Sequence, residues 1–108
     1  MKHSSIRFEI DLDNTNVPER IQWDATDKPE SGLAETKAIS IAIWDTQDKN
    51  TLRIDLWTKE MPVDEMKRFY VECIGGLSQS VLNSTGDEYM SNEMRLLCDK
   101  LVEHLRKA

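Results

Sequence analysis

The chain reads as an α+β protein. Four amphipathic strands form one antiparallel sheet, and a two-helix hairpin packs on one face of it. Three observations predict this. Apolar and polar residues alternate with period two over residues 5–12, 19–25, 36–44 and 51–58, then change to a three-and-four spacing beyond Pro62. The connections between the alternating stretches are short and rich in turn formers, which favours antiparallel neighbours. Two long apolar stripes follow, separated by Asn83-Ser84-Thr85-Gly86.

Each element has its own signature. In SIRFEIDL (5–12), Ile6, Phe8, Ile10 and Leu12 point one way and Arg7, Glu9 and Asp11 the other, a half-buried strand. DNTNVP (13–18) is a turn closed by Pro18. Residues 19–25, ERIQWDA, make a second strand with Ile21, Trp23 and Ala25 on one face. TDKPESG (26–32) is the most polar, breaker-rich stretch and reads as an exposed loop. The third strand covers 36–44, with Ile39, Ile41 and Ile43 on one face and Ala38, Ser40, Ala42 and Trp44 on the other. A helix competes from Leu33 to about Ala38, but the β-branched alternation that follows favours a strand. DTQDKN (45–50) is a hairpin loop, and TLRIDLWT (51–58) is the fourth strand, with Leu52, Ile54 and Leu56 inward.

The hairpin register is readable. With Trp44 opposite Thr51, Ile43 meets Leu52, Ile41 meets Ile54 and Ile39 meets Leu56, so loop length and hydrophobic pattern agree. A slip of one residue would set those side chains against Ala42, Ser40 and Ala38.

The first helix starts at Pro62, where a missing N–H is harmless. Its apolar stripe comprises Val63, Met66, Phe69, Tyr70, Cys73, Ile74, Leu77 and Val81. Gly75-Gly76 interrupts the stripe, at about 2 kcal/mol relative to alanines. The pair marks either a kink or a close approach of another backbone. The second helix, 87–106, turns Met90, Met94, Leu97, Cys98, Leu101 and Leu105 inward and carries His104, Arg106 and Lys107 at its end, as the helix dipole favours.

The 108 residues make one domain, 1–108, with 31% charged residues and a net charge of −6. This balance argues against a nucleic-acid partner and disfavours an anionic membrane surface, and the basic residues form no stripe. No stretch approaches the ~18 apolar residues of a membrane span, and MKHSSIRFEI lacks the apolar centre of a secretory signal. The expected location is therefore cytoplasmic, and Cys73 and Cys98 read as reduced thiols on apolar helix faces.

The candidate chemical sites each have a simpler account. Asp64 and Glu65 sit in the first turn of a helix, where negative charge meets the positive end of the dipole. DLDNTN (11–16) resembles the start of a calcium loop, but Asn16 stands where glycine is needed and Gln22 where a bidentate glutamate is needed. His3 and His104 have no nucleophile or carboxylate arrangement around them. There is no phosphate loop or dinucleotide turn. No catalytic residue, metal ligand or cofactor is expected, and the protein reads as a non-enzyme.

The outer sheet face is more informative. Trp44 and Trp57 project away from the isoleucines around Ala38, Ser40 and Ala42, with Trp57 opposite Ala38. Two large aromatics around small residues make a candidate contact surface; the alternative is that the tryptophans only cover strand edges or pack on the 26–35 loop. Met61, Met66, Met90 and Met94 offer either an adaptable groove or core filling, and core filling fits their helix positions better.

NTLRIDLWTKEMPVDEMKRFY (50–70), preceded by AIWDTQDK and NVPERIQWDATD, resembles the gliding motility-associated GldC family of the Bacteroidetes. The resemblance runs from about Ile6 to the end and is strongest over residues 41–70. It implies a small cytoplasmic accessory protein of the gliding apparatus, linked to type IX secretion, and no catalytic residues. It implies protein partners within that machinery. The order of strands and helices is also similar to the SecB export chaperone, a likeness of topology only. It points to sheets meeting through their outer faces in a homo-oligomer. The expected function is a non-enzymatic, chaperone-like interaction protein; the alternative is a carrier of a small apolar ligand held between helices and sheet. An enzyme using the acids near Asp64 is the third reading.

Overall fold

The computed structural model describes residues 2–30 and 32–107; Ser31, in the loop expected over 26–32, lies outside them. The chain divides into two compact units, Met1–Met61 and Pro62–Ala108.

The first unit is all strand and turn: β1 (Ile6–Leu12), β2 (Pro18–Ala25), β3 (Ala34–Thr36), β4 (Ala38–Asp45) and β5 (Asn50–Trp57). These form two antiparallel sheets, β1-β2-β3 and β4-β5, which corrects the expectation of one four-stranded sheet. The missed strand is AET (34–36). It is short, and its Ala and Glu have low strand propensity. Tertiary pairing decides the matter: Ile21, Gln22 and Trp23 of β2 pair with Thr36, Glu35 and Ala34. At Lys37 the chain leaves that sheet, and β4 begins a separate ribbon with β5. A period-two pattern cannot show which strand edges meet across this break.

Pairing of β1 with β2 sets Ile6 opposite Ala25, Phe8 opposite Trp23 and Ile10 opposite Ile21, before an irregularity at Asp11/Leu12. One face of this sheet is thus apolar, and Ile21 on it is fully buried. The 26–32 loop is less free than its composition predicts. Lys28 lays its ammonium 5.0 Å from the centre of the Trp23 ring and 3.6 Å from Asp24, and it also donates to the Gly32 carbonyl. The aliphatic stem and the charge are both accommodated there.

The β1–β2 turn is held by Asp13. Its carboxylate accepts hydrogen bonds from the Thr15 and Val17 amides, at 2.8 and 3.0 Å, and from the Thr15 hydroxyl. It also pairs with Lys59, just beyond β5. The calcium-like spelling is therefore a turn in which the aspartate accepts from its own loop. The ion pair with Lys59, then the hydrogen bonds from Val17 and Thr15, hold the Asp13 carboxyl well below the usual carboxylate range.

The second unit is a helical hairpin, α1 (Val63–Thr85) and α2 (Glu88–Arg106). Pro62 is the residue before the first turn, and Asp64 and Glu65 lie in that turn. Gly86 ends α1 in the left-handed conformation, φ 73°, and its N–H bonds to the Leu82 carbonyl. Asp87 then caps α2 by accepting from the Met90 amide at 2.9 Å.

Helix α1 runs unbroken through Gly75-Gly76. What comes near the pair is a side chain and not the expected second backbone: a Cβ on Gly75 would lie 3.4 Å from the Cys98 sulfur, whereas one on Gly76 would meet nothing within 4 Å among the described residues. The seam between the helices is built from small groups. The Cys98 thiol lies 3.5 Å from the Val71 carbonyl, and the Ser91 hydroxyl donates to the Ser78 carbonyl at 2.7 Å. Several residues expected to face inward are instead open to solvent, among them Val63, Leu77, Met90 and Leu97.

Candidate interaction surface

The register of the β4–β5 ribbon agrees at every position with that expected: Ile39↔Leu56, Ile41↔Ile54, Ile43↔Leu52 and Trp44↔Thr51. The two faces follow from it. One carries Ile39, Ile41 and Ile43 with Leu52, Ile54 and Leu56. The other carries Ala38, Ser40, Ala42 and Trp44 with Thr51, Arg53, Asp55 and Trp57.

On the second face all five candidate contact residues come together. Trp44 and Trp57 are 60% and 51% exposed, at opposite ends of the ribbon, while Ala38 is buried. What separates the tryptophans is not a bland surface. Ser40 donates to Asp55 Oδ1 at 2.6 Å, and Arg53 grips both oxygens of Asp55, Nη2 at 2.9 Å and Nε at 3.2 Å. Arg53 first, and Ser40 second, hold the Asp55 carboxyl below its ordinary value. This planar, forked pairing fixes the orientation of the charged groups. The face presents two aromatic ends around a locked ionic centre.

The aliphatic face is graded. Ile39 is buried, but Ile43, Leu52 and Ile54 are 50%, 52% and 47% exposed. Toward its tip, the ribbon is therefore apolar and open on both sides. This differs from the covered aliphatic side expected above: AISIAIW is apolar on both faces, the pattern of a strand covered on both sides, and the chain leaves both open toward the tip.

The other candidates disperse. Asp64 and Glu65 are exposed in the first turn of α1. Met66 and Met94 are half-buried, whereas Met90 is exposed. Cys73 and Cys98 are free thiols. The helical unit has an open groove of about 770 Å³ where the start of α1 meets the end of α2; Val63, Val71, Val102 and Leu105 make its apolar lining, and Lys67, Arg68 and His104 are among its polar residues. Among the described residues, no helix is long and apolar enough to cross a membrane.

No curated protein and no solved structure gives a match to set beside this chain; the expected likeness to the SecB chaperone rested on four strands before the two helices, and the chain has five, in two sheets, among the described residues. Residues 18–107, however, match the profile of the family described as gliding motility-associated protein GldC-like. The chain belongs to that family.

Proposed function

We propose that this protein is a non-enzymatic, cytoplasmic accessory factor of the gliding apparatus and its linked type IX secretion machinery. It works by holding other proteins on the β4–β5 ribbon, in a chaperone-like manner. The observation that carries this reading is the ribbon itself. Five large apolar side chains, Ile43, Trp44, Leu52, Ile54 and Trp57, stand about half exposed or more on one two-stranded element. Ile43, Leu52 and Ile54 share one face and the tryptophans stand at the two ends of the other; a monomer rarely leaves so much apolar surface open on one element without a partner. The tryptophans are the residue type that dominates binding energy at protein interfaces, and the Arg53–Asp55–Ser40 centre supplies orientation.

The test is photo-crosslinking in gliding cells from a photoreactive residue at position 44, with one at Glu93 on α2 as the comparison. The reading expects adducts specific to position 44 that include proteins of the motility machinery. It also expects Trp44→Glu/Trp57→Glu to abolish gliding while leaving the circular dichroism spectrum unchanged. Equal labelling from both positions, or normal gliding by the double variant, would refute it.

A second reading, a carrier for a small apolar ligand, finds support in a groove between the two helices, lined by Val63, Val71, Val102 and Leu105, and not at the expected place between helices and sheet. Native mass spectrometry that finds a co-purified lipid, lost on Val102→Asp, would favour it.

A further inference from the structure

The ribbon ends at an open edge, and its hydrogen-bonding pattern says which groups lie there. The Thr58 amide donates to the Lys37 carbonyl at 2.9 Å, in the same register that pairs Ala38 with Trp57. In an antiparallel ladder, hydrogen-bonded pairs recur at every second residue. Ile39, Ile41 and Ile43 therefore direct their main-chain groups toward β5. Ala38, Ser40, Ala42 and Trp44 direct theirs away from it. No further strand pairs with β4 among the described residues. Among the described residues Ala38 is served locally, by the Thr36 hydroxyl, which lies 3.1 Å from its carbonyl oxygen and 3.4 Å from its nitrogen. Natural proteins blunt such edges with charge, proline or bulges. From Ala38 to Trp44 this one has none of these.

We infer that β4 pairs antiparallel with β4 of a second copy of this chain, about a two-fold axis at Ile41, joining two ribbons into one four-stranded sheet. The inference rests on reading the ribbon as a contact surface and names its first occupant. Three observations select a second copy and this register.

The first is area. The chain exposes 8803 Å², whereas two separately compact pieces of these lengths expose about 7,400 Å². The surplus, roughly 1,400 Å², is shared by ribbon and helices, Val63 and Tyr89 included, and leaves room for the roughly 800 Å² that each partner gives to a standard interface.

The second is self-complementarity. About Ile41, Ser40 faces Ala42 of the partner subunit, Ile39 faces Ile43 of the partner subunit, and Trp44 faces Ala38 of the partner subunit. Large side chains meet small ones on one face and aliphatic ones meet each other on the other. The two Ser40–Ala42 pairs supply four main-chain hydrogen bonds without disturbing the Thr36 hydroxyl.

The third is charge. The same axis sets Lys37 opposite Asp45 of the partner subunit, twice. Moving the axis to Ser40 sets Asp45 against Glu35 of the partner subunit, two like charges. Moving it to Ala42 sets Asp45 against Ile39 of the partner subunit. The axis at Ile41 avoids both clashes and centres the pairing on Ser40 and Ala42, in the more open part of the strand; Ala38 and Ile39 are already buried within the chain.

The test is the mass of the full chain in solution by sedimentation equilibrium. The wild type is expected at twice 12.5 kDa. Ala42→Pro removes an outward N–H and no bond to β5, and is expected to leave a monomer. Thr51→Pro, the equivalent change on the outer edge of β5, is expected to remain dimeric. Lys37→Glu is expected to weaken the dimer about tenfold by creating two like-charge pairs, and Lys37→Glu/Asp45→Lys to restore it. This swap decides the matter if Ala42→Pro fails to fold. A wild-type monomer at every concentration, a dimer that survives Ala42→Pro, or a swap that fails to rescue would each overturn the pairing. None of those results touches the cellular crosslinks from position 44, so the pairing and the broader reading fail separately.

Discussion

Adjacent glycines in the middle of α1 make opposite predictions. Both sit in regular helix, where glycine is about 0.8–1.0 kcal/mol less favourable than alanine. At Gly76 a methyl group meets nothing within 4 Å. Gly76→Ala therefore realises the whole gain, about 1 kcal/mol, or a rise in Tm of about 4–8 °C for a chain of this size. At Gly75 the added Cβ stands 3.4 Å from the Cys98 sulfur. That is still an allowed contact, so Gly75→Ala gains less. Gly75→Val must push a second carbon into the helix seam, and overpacking of that kind costs about 1–3 kcal/mol. Urea unfolding followed by circular dichroism measures all three. The double variant Gly75→Val/Cys98→Ala checks the mechanism: deleting the sulfur should recover most of the loss, a coupling visible in the double-mutant cycle. If Gly76→Ala destabilises, or if Gly75→Val and Gly76→Val behave alike, the account of the seam is wrong.

Other outcomes follow from single contacts. The Asp13 carboxyl titrates below its unfolded value of about 3.9, so its contribution is present above that value and is lost as pH falls through the folded one. Asp13→Asn should lower stability at pH 7, and the gap to wild type should close progressively below about pH 5 in acid-unfolding curves. Asp87→Ala removes the side-chain acceptor for the Met90 amide and should cost about 1 kcal/mol in urea unfolding. The Thr58 hydroxyl is buried without a hydrogen-bond partner among the described residues, so Thr58→Val should be neutral or stabilising by up to about 1 kcal/mol in the same assay.

Much of the local structure was legible in the residues. The ladder from Ala38↔Trp57 to Asp45↔Asn50 could be written down because two constraints, loop length and matching aliphatic faces, demanded the same register. Pro62 and Gly86 marked the helix ends within a residue or so, since each has a backbone reason to stand where it does. The division of the sheet was not legible. Alternation shows that a strand has two faces but says nothing of which edges join, and β3 is too short to carry a period. The candidate surface was half legible. Trp44 and Trp57 were identified as a shared face, yet nothing in the spacing disclosed the Arg53–Asp55–Ser40 centre between them. Nor does periodicity report coverage: Ile39 and Ile43 share one face, and only the first is buried.

The central claim is that the β4–β5 ribbon is left incomplete by a single chain. Amide hydrogen exchange on the purified wild-type protein, read residue by residue by NMR, tests it most directly. The account predicts protection at Ser40 and Ala42 comparable to that at Ile39, Ile41 and Ile43, with fast exchange at Thr51 and Arg53 on the outer edge of β5. Exchange at Ser40 and Ala42 as fast as at Thr51 and Arg53, over the concentration range where the account expects dimer, would contradict it.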